Sequence, residues 1–221
     1  NAMRTIDRFH IQKLACDAVI QDASVCALRG GMTTQKELEI VRQIRTFSDI
    51  PLIGMGYINT MLHYGFERFV KDFKAVGMDG IIVPDVPHEE SGEMRRICAE
   101  QSFHLAEFIT PGTTPARMKE TCVGATGFIY CVSNNGVTGV KKIDYSTIGK
   151  VCAQARSFTD TPLAVGFGIG SPEAAVDAAA HADAVIVGSA VVGRLMKGQF
   201  DDAMALIRAM REALDAAYRA N

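Results

Sequence analysis

From residue 50 onward, short unbroken apolar runs alternate with longer segments whose apolar positions recur at helical spacing. The runs are Pro51 to Tyr57, Gly80 to Val86, Leu105 to Thr110, Gly127 to Ser133, Leu163 to Ile169 and Ala184 to Val191. None alternates apolar with polar, as a strand with one wet face would. Each has the composition of a parallel strand covered on both faces. The segments between them, Tyr64 to Val76, Glu89 to Gln101, Pro115 to Val123, Tyr145 to Phe158, Pro172 to His181 and Gln199 to Ala220, predict helices. Thr114 before Pro115 and Ser171 before Pro172 join a capping hydroxyl to a proline in the first turn, which marks two helix starts.

A repeating βα pattern predicts a right-handed parallel sheet, either open and doubly wound or closed into a barrel. The barrel is favoured, because no second helical layer is patterned and the chain finishes as strand, Gly-Ser, helix. The first fifty residues break the rhythm. Ile6 to Leu28 and Gln35 to Thr46 read as helices, and no strand precedes Pro51. A complete eightfold barrel takes about 250 residues. This chain of 221 is therefore expected to be an α/β protein with a TIM-type (βα) barrel of about six parallel strands, lacking the first two βα units. Asn1-Ala2 reads as a tag remnant ahead of Met3. Residues 3–221 are expected to form a single domain, with 3–49 mostly helical.

Composition narrows the classes. With 48% hydrophobic and 22% charged residues the chain has ample material for a core. A formal net charge of -2 leaves no basic excess for nucleic acid or an acidic membrane. The apolar stretch from Ala174 to Val192 is interrupted by Asp177, His181 and Asp183, so no membrane span is expected. There is no signal-peptide pattern. The six cysteines are dispersed without a CxxC pair, which argues against a zinc site or a disulfide framework and for a cytoplasmic setting.

Candidate chemistry gathers at the ends of the predicted strands. Gly166-Phe167-Gly168-Ile169-Gly170 closes one strand and opens a helix, where glycine lets backbone amides approach an anion and the helix dipole favours it. Gly188-Ser189 follows the next strand, and phosphate commonly sits between these last two loops of a barrel. Asn134 to Gly139 could close over a ligand. Asp85 in Pro84-Asp85-Val86-Pro87 stands at a strand end, where it serves chemistry or fixes a loop. His63, His88 and His104 have no nucleophile partner in the pattern and read as surface or capping residues.

Four segments together carry a family resemblance: Gly80-Ile81-Ile82-Val83-Pro84-Asp85-Val86-Pro87-His88-Glu89-Glu90; Gly127-Phe128-Ile129-Tyr130-Cys131-Val132-Ser133 running into Gly136-Val137-Thr138-Gly139; Gly166 to Ile169; and Val187-Gly188-Ser189-Ala190-Val191-Val192. The chain resembles the tryptophan synthase alpha subunit family from about Val19 to Phe200. The resemblance implies retro-aldol cleavage of indole-3-glycerol phosphate to indole and glyceraldehyde 3-phosphate in tryptophan biosynthesis, with indole passed to a beta subunit that carries pyridoxal phosphate. It implies that Gly168, Gly188 and Ser189 hold the phosphate, with Thr138 and Gly139 on the covering loop. Tyr130, Phe167, Ile109, Met55 and Ile82 would line the indole and glycerol pocket. No metal and no organic cofactor of the chain's own is implied.

The chain departs from the family at the catalytic carboxylates. No segment matches the family's Glu-bearing second strand. Leu14-Ala15-Cys16-Asp17-Ala18-Val19-Ile20-Gln21 matches the segment of the partner Asp, but Cys16 takes the Asp position, so Asp17 serves only if the loop shifts by one residue. Glu107 is the other candidate acid, because alternation places it on the face of Ile109, expected to point into the pocket. The alternatives are a catalytically impaired homologue that binds a phosphate ligand or a partner, and another phosphosugar barrel enzyme using Asp85 or Glu107. A homodimer is expected, since six strands leave edges that proteins usually cover.

Overall fold

A computed structural model describes residues 31–132 and 145–219. The helix expected over Ile6 to Leu28, together with Cys16, Asp17, Thr138 and Gly139, lies outside the described residues. Strands β1 (Ile53–Met55), β2 (Gly80–Ile82), β3 (His104–Leu105), β4 (Glu107–Ile109), β5 (Ile129–Val132), β6 (Leu163–Gly166) and β7 (Ala184–Ile186) alternate with helices in chain order. The helices are α1 (Thr34–Arg45), α2 (Ile58–Tyr64), α3 (Phe66–Ala75), α4 (Gly92–Glu100), α5 (Pro115–Cys122), α6 (Ser146–Ala155), α7 (Pro172–Ala179), α8 (Ser189–Leu195) and α9 (Phe200–Arg219). A short 3-10 turn, His88–Glu90, precedes α4.

All pairings are parallel, in the orders β1-β2-β3 and β4-β5-β6-β7. β3 and β4 are one run interrupted at Ala106, whose amide still reaches Ile81 O at 3.0 Å. All six expected strand positions are therefore occupied, by an arc of TIM-barrel type. Among the described residues no strand pairs with the outer edges of β1 and β7. The central strands are buried on both faces, as their unbroken apolar runs require.

The arc separates two kinds of core. Outside it, Ile109, Met118, Ile129, Ile148 and Leu163 pack the second half of the sheet against its helices, while Val70, Phe73, Ile81 and Leu105 do so for the first half. Inside it, Ile82, Ala106, Phe128, Tyr130, Ala164, Ala184 and Ile186 face the barrel axis.

The expected caps form. Thr114 Oγ1 accepts from Arg117 N at 3.4 Å and Ser171 Oγ from Ala174 N at 3.2 Å, each ahead of its proline. Two boundaries differ from expectation. Ile58 to Tyr64 is helical, separated from α3 by Gly65 at φ 91°. The run expected as strand to Val191 stops at Ile186, because Gly188, at φ -104° and ψ -90°, starts α8. The cysteines described, Cys98, Cys122, Cys131 and Cys152, are free and buried. Among the described residues no helix is long and apolar enough to cross a membrane, and no group of His, Cys, Asp and Glu could hold a metal ion.

Candidate active site

The register aligns the C-terminal ends of β5, β6 and β7, with Val132 opposite Gly166 and Gly166 opposite Ile186. The loops after β6 and β7 consequently leave the sheet side by side. In the first, Phe167 and Gly168 are both left-handed, at φ 87° and 79°. For phenylalanine this conformation costs on the order of 1–3 kcal/mol, a strain that collects at functional sites. A Cβ placed on Gly170 or Gly188 would meet no atom within 4 Å. Packing does not demand glycine at those two positions; they border open space. Ser189 and Pro172 also edge a groove of about 740 Å³, whose charged lining residues are Arg194, Lys197 and Asp202.

Gly166 is a different case. A Cβ there would lie 2.6 Å from Tyr130 Cζ, so the close approach of the tyrosine requires glycine. Tyr130 stacks on Phe108, with ring centroids 5.3 Å apart and planes 22° apart. Burial pushes the Tyr130 phenol up to about 12, which keeps it neutral in any ordinary buffer. Ile82 is fully buried beside it, Met55 is partly buried against the same interior cluster, and Phe167 is half-buried at the rim. This end of the barrel therefore offers an aromatic, apolar interior below two glycine-rich loops.

Ile109 does not join it. Fully buried, it lies in the outer layer with Met118 and Ile129, and the interior position on β4 is held by Phe108. The alternation is as expected, but its parity is reversed. Phe108 is the interior residue that sequence reasoning missed; it pairs in register with Tyr130.

The same parity carries Glu107 away from the interior. Its side chain is 8% exposed, with Oε2 3.0 Å from His88 Nδ1 and Oε1 3.6 Å from Arg95 Nη1. His88 is thus neither a surface nor a capping residue. Oε1 is buried without a hydrogen bond, which costs about 1–3 kcal/mol or more for a charged group. Asp85 fixes a loop: its carboxylate oxygens accept from Ile58 N at 3.1 and 3.3 Å and anchor the start of α2.

The family profile described as tryptophan synthase alpha chain matches residues 14–218. The chain is 39% identical over 184 residues to the tryptophan synthase alpha chain of Clostridium kluyveri, covering 83% of this chain and 70% of that one. It is similar to the crystal structure of the tryptophan synthase alpha chain from Legionella pneumophila, with a TM-score of 0.78 at 29% identity, over 94% of this chain and 84% of that chain. It also matches a chain of the tryptophan synthase complex from Pyrococcus furiosus, with a TM-score of 0.76 at 27% identity, over 87% and 79% of the two chains. With the parallel strands, their interior and their glycine loops arranged as described, the chain belongs to the tryptophan synthase alpha chain family.

Proposed function

We propose that the chain binds indole-3-glycerol phosphate at the rim of β5 to β7 and cleaves it to indole and glyceraldehyde 3-phosphate. The observation that supports this most strongly is the juxtaposition of the Phe167–Gly168 and Gly188–Ser189 loops directly above the Phe108–Tyr130 stack. One end of the substrate is a dianion and the other an apolar bicycle, and the rim offers a matching surface to each. In this reading Gly168, Gly188 and Ser189 hold the phosphate, Thr138 and Gly139 belong to the covering loop, and Tyr130, Phe108, Phe167, Ile82 and Met55 surround the indole and glycerol.

The chemistry balances without redox. C3 of the indole ring gains a proton, the bond to the glycerol carbon breaks with its electron pair moving into the ring, and the hydroxyl on that carbon loses a proton as it becomes the aldehyde. The cation that precedes cleavage is stabilised by a carboxylate on the indole N–H, and Asp17 is the proposed group. Glu107 has no part in this step, because its carboxylate lies on the outer face and is held by His88.

A beta subunit is the proposed recipient of indole, supported by the likeness to a chain of a tryptophan synthase complex. The dispersed cysteines support a cytoplasmic location. Glycerol 3-phosphate tests the anion half. It should raise the melting temperature through ligand linkage, and Ser189→Glu, which places a like charge against the phosphate, should abolish the rise. No shift at millimolar glycerol 3-phosphate would remove the proposed phosphate site.

A further inference from the structure

The two ends of the arc differ. At one end β7 is buried along its whole length, with Ala184 and Val185 0% exposed and Ile186 4%. At the other, β1 is half-exposed at Ile53, Gly54 and Met55 alike, which is true of no other strand among the described residues.

The outer edge of β1 is chemically open as well. Gly56 N donates to Ile82 O at 3.2 Å and Leu52 O accepts from Asp79 N at 2.9 Å, so Leu52, Gly54 and Gly56 face β2. The two-residue period of a strand then turns the N–H and C=O of Ile53 and Met55 outward, where no strand among the described residues meets them. Edges are usually blunted by charge, proline or a bulge, and Ile53-Gly54-Met55 carries no charge and no proline. Beside this edge α1 holds apolar surface of its own. It buries Leu38 and Val41 in the core. Off that face Ile40, Ile44 and Phe47 follow at i, i+4 and i+7, with Ile40 43% and Phe47 78% exposed.

We infer that this edge is a docking surface for a second copy of the chain, with the two β1 strands paired antiparallel across a two-fold axis at Gly54. The axis sets the register. Ile53 of each copy stands opposite Met55 of the other, and such a pair exchanges both of its N–H···O bonds. Gly54 meets its own copy with no side chain to hold the strands apart. A ring joining β1 to β7 of another copy is excluded, because β7 has no exposed edge, so the contact is isologous. An axis perpendicular to the sheet keeps the two α1 helices in one outer layer, side by side and antiparallel, and the Ile40 stripe packs on its own copy. The added strand also closes the barrel interior where Ile53 and Met55 are only partly covered. The inference rests on the edge and not on the proposed cleavage reaction.

The test follows amide exchange at Ile53 and Met55 in the full chain by NMR across a range of protein concentration, with sedimentation equilibrium on the same samples. Both amides should slow at least about tenfold as the dimer forms, since a paired strand opens less often than a free edge. Ile40→Glu sets like charges face to face, so it should weaken the dimer at least about tenfold and restore fast exchange. Phe200→Glu, at a side chain 63% exposed on the surface of α8 and α9, should change neither. Fast exchange at every concentration would overturn the inference, as would a dimer lost in Phe200→Glu and kept in Ile40→Glu. Slow exchange independent of concentration would overturn it too, and would give the edge to the chain's own residues 1–30. The exchange measurement needs no variant, and none of these outcomes depends on indole-3-glycerol phosphate.

Discussion

Gly166 and Tyr130 occupy each other's space, and this one pair shapes the interior below the phosphate loops. Adding a methyl at Gly166 drives it into a ring whose Cζ would be 2.6 Å away, and overpacking of this kind costs about 1–3 kcal/mol. Gly166→Ala should lower the urea midpoint accordingly. Because the tyrosine hydroxyl is the nearest of the ring atoms in the way, Tyr130→Phe in the same chain should recover part of the loss, and a double-mutant cycle with no coupling would refute the contact. Tyr130 also gives a pH signature. Burial pushes its phenol up to about 12 in the folded chain, from an ordinary value near 10. The folded state therefore holds its proton more tightly, and that contribution is complete below pH 10 and lost as pH rises toward 12. Two units correspond to roughly 2–3 kcal/mol, so stability should fall more steeply over this window in the native chain than in Tyr130→Phe. At the residue scale, motif and resemblance put Gly168 after β6, Gly188 and Ser189 after β7 and Tyr130 on a strand, and those are the positions they occupy. Periodicity showed that Glu107 and Ile109 share a face. It could not show which face, since a strand buried on both sides carries no polar marker of inside and outside.

Two corners of the sheet repeat one device. Asp79, just before β2, accepts from Leu52 N at 2.7 Å and pairs with Arg45 Nη2 at 2.7 Å. Asp183, just before β7, accepts from Leu163 N at 2.8 Å and pairs with Arg156. In both, the arginine ends the helix that leads into the preceding strand and also binds a carbonyl of the connecting loop, Ile50 O at 2.6 Å for Arg45 and Thr161 O at 3.0 Å for Arg156. The pair ties a helix end and two neighbouring strands at the rim opposite the phosphate loops, so it sets register without touching ligand. Asp183→Ala and Asp79→Ala should each cost about 2 kcal/mol in urea unfolding, the scale of a partly buried charged hydrogen bond lost. Glycerol 3-phosphate affinity should be unchanged in the folded fraction. Ser171→Ala is expected to cost about 1 kcal/mol and, because Ser171 follows Gly170 directly, to weaken that affinity as well. Element existence was readable from apolar runs and from the Thr-Pro and Ser-Pro caps. Strand ends and the short helices α2 and α8 were not, since Ile186-Val187 and Val191-Val192 read as one apolar run and only the backbone at Gly188 divides them.

The molecule as a whole is an arc in which, among the described residues, the outer edges of β1 and β7 are unpaired. The surface of α8 and α9 adds exposed apolar side chains, Leu195, Met196, Phe200 and Met204, with Phe47 78% exposed elsewhere. Edges unpaired among the described residues and apolar surface favour association, and on that ground we propose a homodimer. Gel filtration at micromolar concentration should give a dimer, and a clean monomer would contradict it. Fold class was legible because six βα repeats leave few topologies open. The catalytic carboxylates were less so, because the segment around Asp17 matches the family only with a one-residue shift. Cleavage of indole-3-glycerol phosphate by this chain is read out as indole formation from that substrate, with and without a beta subunit. Indole should appear at a rate set by protein concentration, be abolished by Ser189→Glu and fall at least about a hundredfold in Asp17→Ala, the lower end of acid–base and electrostatic contributions. A folded protein that binds glycerol 3-phosphate yet releases no indole under either condition would contradict the account.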